Sequence, residues 1–264
     1  MMIQMDDHTA RLTEIALEAE TLRLFLDYDG TLDEFAPSPD IVLPNNEIIS
    51  LLEQLVSVKG ILPAVISGRR LAHIQKLLPV EGLLIAGTYG LEMRLPDGTL
   101  RYGIEISEIR AFLECVQPRW RKCITGVRGM ELEDKGYTLA LHGRRADRLQ
   151  AEGALEQARK IALEMMTDQT FRLTTGDLFL EIAPEGARKS SAVQTVLEEY
   201  TPGNAGIIYI GDDERDEEAF QFVLSRGGIA VRVASSPVST LAQYILESPA
   251  QVREWLKELV KTKS

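Results

Sequence analysis

The sequence is short of cysteine, histidine, positive charge and long apolar runs, and each shortage removes a class of function. Its two cysteines, Cys115 and Cys123, lie eight residues apart with no histidine between them. That spacing supplies neither a zinc site nor a disulfide scaffold and predicts idle thiols in a reducing compartment. The 29 lysines and arginines are outnumbered by 40 aspartates and glutamates, giving a net charge of -11 and a pI near 4.9. A basic face for nucleic acid is therefore not expected. No window approaches the roughly 20 apolar residues of a membrane span. The opening MMIQMDDHTARL has early acids and no apolar core, so no secretory signal is expected. These absences leave a cytoplasmic protein, read as a monomer, without nucleic-acid or membrane partners.

What is present is an ordinary globular composition, 45% hydrophobic over 264 residues, enough to bury a substantial core in one large domain or two modest ones. The stretch that organises it is Leu22-Arg-Leu-Phe-Leu-Asp-Tyr-Asp-Gly-Thr-Leu32. An apolar run ends abruptly in two acids. If Leu24–Asp29 is a strand, Asp27 and Asp29 share a face, and two carboxylates so close repel unless a cation or shared proton neutralises them. Gly30 permits a tight turn and Thr31 adds a hydroxyl. Asp-Gly after an apolar run is also a hairpin signal. The residues that follow, DEFAPSPD, hold two prolines and no alternating strand, so an acidic site at a strand end is the better reading.

Taken in order, helical spacing predicts helices over Asp7–Thr21 and Asn45–Val58, and short apolar runs predict strands at Leu62–Ile66 and Gly82–Ala86. A helix is expected at Leu71–Leu78 and a hairpin around Pro96-Asp97-Gly98. From about Gly103 the rhythm becomes helix Glu105–Lys122, strand Tyr137–His142, helix Ala146–Met166, then one or two strands within Phe171–Ile182. The alternating pattern returns with helix Ser190–Tyr200, strands Ile207–Ile210 and Ile229–Val233, and helix Gln251–Lys261. The expected fold is α/β, a doubly wound parallel-sheet core in two parts, residues 1–103 and 185–264, with an inserted α+β cap at 104–184.

Four chemical stations fall where core strands end. The first is Asp27 with Asp29. The second is Ser67-Gly-Arg69, where a hydroxyl and freed backbone N–H groups suit phosphate, although Ser67 also reads as a plain helix cap. The third is Lys189, with Arg188 as its rival, at a helix start where a cation is unfavourable unless an anion lies near. The fourth is Gly211-Asp-Asp-Glu-Arg-Asp216, whose clustered hard oxygens of Asp212, Asp213 and Asp216 suit Mg2+ or else cap the next helix. An acidic protein can still take an anionic substrate when a metal and local cations invert the field of its site.

Asp27-Tyr-Asp-Gly-Thr31 resembles the Asp-x-Asp-x-Thr signature of the haloacid dehalogenase superfamily, and DYDGT followed by Pro39-Asp40 resembles its trehalose-6-phosphate phosphatase branch. The four stations match that superfamily's motifs in order. The resemblance implies Asp27 as nucleophile, Asp29 as acid and base, and Ser67 and Lys189 as holders of the phosphoryl group. Thr31, Gly68 and Arg69 would assist in substrate binding. Mg2+ would be bound by Asp27, the Asp29 carbonyl and Asp212, with Asp213 and Asp216 as ligands or behind them. The family pattern also favours Lys189 over Arg188.

In the cap, Glu133, Lys135, His142, Arg144 and Glu181 resemble the family's sugar-facing residues. Several positions depart from its usual pattern: Tyr89 for histidine, Gly143 for tyrosine, Asp177 for lysine, Ser190 for glycine and Arg215 for threonine. The implied partner is a small sugar phosphate, trehalose 6-phosphate first. Alternatives are glucosylglycerol, mannosylglycerate or sucrose phosphate, a mutase using the same aspartyl-phosphate, a receiver-like domain, or a non-catalytic sugar-phosphate-binding regulator.

Overall fold

The computed structural model describes residues 7–34, 42–167 and 170–264. They divide into two compact units, one of residues up to Arg101 and from Arg188 onward, the other Tyr102–Ala187. Pro39-Asp40 lies outside the described residues.

In the first unit, α1 (Asp7–Glu18), β1 (Leu22–Leu26), α2 (Asn46–Ser57), β2 (Ile61–Ile66), α3 (Leu71–Leu77) and β3 (Leu84–Gly87) come first, then β4 (Glu92–Arg94) and β5 (Leu100–Tyr102) flank the Asp97-Gly98 turn. The second unit supplies α4 (Ile106–Ile124), β6 (Glu131–Asp134), β7 (Leu139–His142), α5 (Arg148–Met165), β8 (Phe171–Gly176) and β9 (Phe179–Pro184). The chain then adds α6 (Lys189–Tyr200), β10 (Gly206–Gly211), α7 (Glu217–Ser225), β11 (Ile229–Val233), β12 (Tyr244–Leu246) and α8 (Pro249–Lys263) to the first unit. Its sheet runs β12-β11-β10-β1-β2-β3-β4-β5. The pairings from β12 to β3 are parallel and β3 with β4 is antiparallel.

Strand alternation builds two cores from β1. Leu24 and Leu26 join the layer of Leu52, Ile74 and Trp255 from α2, α3 and α8. Phe25 joins the opposite layer with Val193 of α6 and Phe220 of α7. A strand buried on both faces reads as a continuous apolar run, which is why LRLFL was visible in the sequence. Because these strands are parallel, their carboxyl ends share one edge of the sheet, where ligands of such folds bind. Asp27, Ser67, Thr88 and Asp212 each follow directly on a strand end there.

The second unit is a four-stranded sheet, β6-β7-β9-β8, with antiparallel pairings. The expected strand at Tyr137 begins at Leu139, and β6 was not foreseen because Glu-Leu-Glu-Asp is too short and acidic to signal a strand. The apolar face of α5 is made of small residues. Leu149 is 80% exposed, and the buried stripe is Ala151, Ala154, Ala158 and Ala162. Small side chains let α5 approach α4, so that buried Trp120 Nε1 donates to the Ala158 carbonyl at 3.0 Å. Replacing Ala158 by Leu forces extra volume into this contact and is expected to destabilise the protein by about 1–3 kcal/mol. Urea unfolding followed by circular dichroism checks it; an unchanged midpoint would contradict the close packing.

Candidate active site

β1 stops at Leu26, so Asp27 and Asp29 lie on the loop beyond it and strand alternation does not put them together. Their side chains part. Asp27 turns inward, with Oδ1 3.0 Å from Lys189 Nζ. Asp29 is gripped by both arms of Arg69, Nε to Oδ2 at 2.6 Å and Nη2 to Oδ1 at 2.5 Å. Gly30, at φ 81°, and the bond from its N–H to the Asp33 carbonyl at 2.7 Å make the turn between them and the next segment. Thr31, fully buried, donates to Asp212 Oδ1 at 3.3 Å.

Lys189 is the first residue of α6 and is only 4% exposed. Its ammonium also lies 2.6 Å from Asp216 Oδ1, which explains a cation at a helix start better than solvation does. Arg188 turns elsewhere, to Glu218 at 2.8 Å. Asp216 is fully buried and held from three sides: by Lys189, by the Tyr209 hydroxyl at 2.7 Å and by the Asp213 N–H at 3.0 Å. It comes so close to the end of β10 that a Cβ on Gly211 would meet Asp216 Cγ at 2.4 Å. Tyr209 was not singled out from sequence. Its signal was a tyrosine inside a fully buried strand, where the hydroxyl needs a partner.

Asp27, Asp212 and Asp216 each offer an oxygen within 4.8 Å of the others. Three carboxylates against one ammonium leave two negative charges when all are ionised. Burial, with Asp216 and Asp212 beside it, pushes the Asp27 carboxyl well above the usual range despite Lys189. Burial and then Asp216 push Asp212 up to about 6. This set of hard oxygens with an excess of two charges fits Mg2+. Asp213 stands outside it, capping the next turn. Its carboxylate accepts from the backbone N–H and guanidinium of Arg215 and lies below the usual range, these bonds outweighing its burial.

Ser67 is buried but caps nothing: Arg70 is the N-cap of α3, and Ser67 Oγ accepts from the Arg69 N–H at 3.1 Å. The first N–H of that helix goes instead to buried Glu92 at 3.1 Å, another residue that was not foreseen. Gly68 lies under the Tyr89 ring, where a Cβ would approach to 2.8 Å.

In the second unit, Glu133, Lys135, His142 and Glu181 form one cluster. Lys135 Nζ donates to Glu181 Oε1 at 2.8 Å and lies 3.8 Å from Glu133. Thr138, missed in the sequence, donates to the same Glu181 oxygen at 2.9 Å. His142 Nε2 is 2.9 Å from Glu133 Oε2. Burial raises the Glu133 carboxyl, but His142 and Lys135 outweigh it and leave it below the usual range. Arg144 is exposed and Asp177 pairs with Arg148 at 2.7 Å.

Removing the Lys189 charge tests this electrostatic frame. Lys189→Met strands Asp27 and Asp216, and without added metal it is expected to cost about 3–5 kcal/mol at pH 7. Carboxyls whose folded pKa is raised bind protons more readily when folded, so the deficit should shrink as the pH falls toward 5. Denaturant titrations in chelator at the two pH values measure it; a pH-independent deficit would count against the buried charge set.

The family described as trehalose-phosphatase matches residues 25–250. Probable trehalose-phosphate phosphatase 3 of Oryza sativa subsp. japonica is 30% identical, over 94% of this chain and 72% of its own length. The trehalose-phosphate phosphatase of Mycobacterium marinum is 30% identical over 89% of this chain, which spans 60% of that longer protein. Among solved structures, the C-terminal domain of C. albicans trehalose-6-phosphate phosphatase superposes with a TM-score of 0.84 at 20% identity, covering 96% of each chain. The C-terminal domain of the Candida albicans trehalose synthase regulatory protein does so with 0.77 at 13% identity, covering 96% of this chain and 98% of that one. The fold is thus common to a phosphatase and a regulatory protein, and by the match over residues 25–250 this chain belongs to the trehalose-phosphatase family of phosphoric monoester hydrolases.

Proposed function

We propose that this protein hydrolyses trehalose 6-phosphate to trehalose and phosphate through a phosphorylated Asp27. The observation that carries the reading is the buried Asp27 carboxylate at the end of the central strand, paired with Lys189 and grouped with Asp212 and Asp216. Burial strips Asp27 of water, and Lys189 supports its ionised, nucleophilic form. Asp27 Oδ attacks phosphorus, the bond to the sugar oxygen breaks, and that oxygen takes a proton from Asp29. A water then attacks the aspartyl-phosphate, gives its proton to Asp29 and releases phosphate.

Asp29 reaches this role only by leaving Arg69, whose two-armed grip matches a phosphoryl group as well as a carboxylate. Arg69 therefore exchanges Asp29 for substrate, with the Ser67 hydroxyl, Thr31 and the Gly68 backbone completing the phosphoryl site. Asp27, the Asp29 carbonyl and Asp212 would hold Mg2+, with Asp213 and Asp216 behind them. When bound, the ion supplies neutralisation of phosphoryl charge. Glu133, Lys135, His142, Arg144 and Glu181 act as the sugar-binding residues of the cap.

A second sugar is favoured by one observation. Asp177, where the family usually has lysine, forms an exposed ion pair with Arg148, so another phosphorylated glycoside is the second reading.

Asp27→Asn is expected to lower phosphate release roughly ten-thousandfold or more while leaving the circular dichroism spectrum unchanged; retained turnover would refute the nucleophile. Chelation should abolish activity and Mg2+ restore it, with Asp212→Asn shifting the Mg2+ requirement upward. Glu181→Gln and Lys135→Met should raise KM for trehalose 6-phosphate and leave p-nitrophenyl phosphate unaffected. A panel adding sucrose, mannosylglycerate and glucosylglycerol phosphates identifies the sugar, and equal turnover of all would defeat the trehalose assignment.

A further inference from the structure

The segment Gly87-Thr-Tyr-Gly90 has no part in the reaction described above, yet its backbone is forced. Thr88 and Tyr89 have φ of 47° and 57°, two consecutive left-handed residues that both carry side chains. Such backbone persists only where the surroundings over-determine it, and it concentrates at functional sites. Here the Thr88 N–H donates to the Arg69 carbonyl at 2.7 Å and the Tyr89 N–H to the Ser67 carbonyl at 3.0 Å. The Thr88 hydroxyl donates to Glu92 at 2.8 Å. The flanking glycines allow the approach: a Cβ on Gly87 would lie 2.5 Å from the Leu71 nitrogen, and one on Gly90 2.5 Å from Ala192 Cβ.

The product of this construction is the position of one side chain. Tyr89 is 2% exposed and its ring covers Gly68. Its hydroxyl accepts from Arg215 Nη1 at 2.9 Å, and the Arg215 Nε holds Asp213 Oδ2 at 2.7 Å. Tyr89 thus joins three loops: the one after β2 with Ser67, its own after β3, and the one after β10 with the acidic cluster. Two positions that depart separately from the family pattern in sequence are one contact in space.

We propose that Tyr89 and Arg215 form a single positioning unit that fixes the Ser67–Gly68 turn against the Asp212–Asp216 loop and so sets the spacing between the phosphoryl-binding hydroxyl and the acidic cluster. The inference rests on the phosphatase reading in assigning Ser67 to the phosphoryl group, and not on the identity of the sugar. A filler role for Tyr89 would need only its ring, whereas a positioning role needs the hydroxyl and a guanidinium able to reach Asp213 and Tyr89 together.

Tyr89→Phe keeps the ring over Gly68 and removes the hydroxyl. Arg215→Lys keeps the charge near Asp213 but cannot span both partners. Both singles and the double variant are compared with the wild type in three measurements: binding of inorganic phosphate by calorimetry with Mg2+, kcat and KM on trehalose 6-phosphate and p-nitrophenyl phosphate, and Tm. The expected result is a roughly tenfold loss of phosphate affinity and of kcat/KM on both substrates for each single, the size of one hydrogen bond to a charged group. Tyr89→Phe should keep the wild-type Tm, and the double variant should be no worse than the worse single. Wild-type phosphate binding in Tyr89→Phe, or a double variant whose loss is the product of the two singles, overturns the proposal. A wild type that ignores trehalose 6-phosphate defeats the sugar assignment alone, since phosphate binding and p-nitrophenyl phosphate still decide the pair.

Discussion

The arrangement depends on one buried ammonium. Lys189 stands between Asp27 at 3.0 Å and Asp216 at 2.6 Å, with Asp212 completing the acidic group. Taking two carboxylates out of water, and a third partly so, is costly, and a buried ion pair rarely repays its desolvation through its own attraction. Such a cluster is a poor way to gain stability. It is a good way to keep a carboxylate reactive and to leave an unmet demand for positive charge, which is what a site for a metal and a phosphoryl group requires. The raised Asp27 and Asp212 carboxyls are the expression of that demand.

The surrounding contacts share a purpose with this cluster: each ties the loop after one strand to the loop after another. Arg69 links the β2 loop to Asp29, Thr31 links the β1 loop to Asp212, and Arg215 links the β10 loop to Tyr89. Parallel strands bring these loops to one edge, but strand pairing does not fix their relative positions beyond the last ladder bond. Charged and hydroxyl groups finish the job. Gly211 shows the tolerance involved, because one added carbon would occupy the place of the Asp216 carboxyl.

Much of this frame was legible in the sequence because it is written in local patterns. Buried parallel strands are apolar runs, and acids or a hydroxyl directly after them mark the ligand edge. The illegible part consists of pairings across long separations. Nothing near Asp29 announces that Arg69 will hold it while Asp27 turns to Lys189, 162 positions further on in the numbering. Glu92 was hidden because its partner Leu71 lies on another element, and Tyr209 because a tyrosine in a buried strand does not name its partner, even one seven positions on. In α5 the alanines do the packing while Leu149 is exposed, since close helix approach selects small side chains that carry little pattern of their own. Lys189 was legible in part: a cation at a helix start conflicts with the helix dipole and so calls for an anion, and the family pattern then chose it over Arg188.

The two units differ in how strongly their chemistry constrains them. Phosphoryl transfer asks for charge at fixed points, which carboxylates, lysine and arginine supply in recognisable groups. Sugar recognition asks for hydrogen bonds, and the second unit carries a group of polar side chains on a single sheet face. Register there places Glu131, His142 and Phe179 across from one another, and beside them Glu133, Ala140, Glu181 and Thr174, while Leu132, Leu141 and Leu180 point the other way. Glu181 is almost fully buried and already satisfied by Lys135 and Thr138. A polar network of this kind discriminates by leaving its members unpaired when the wrong ligand arrives. In the function we propose, discrimination would reside in the geometry of these donors and acceptors, any of which could change while the phosphoryl chemistry stays intact. A change such as Asp177 would, in that function, bear on the sugar and leave Asp27 and Lys189 untouched.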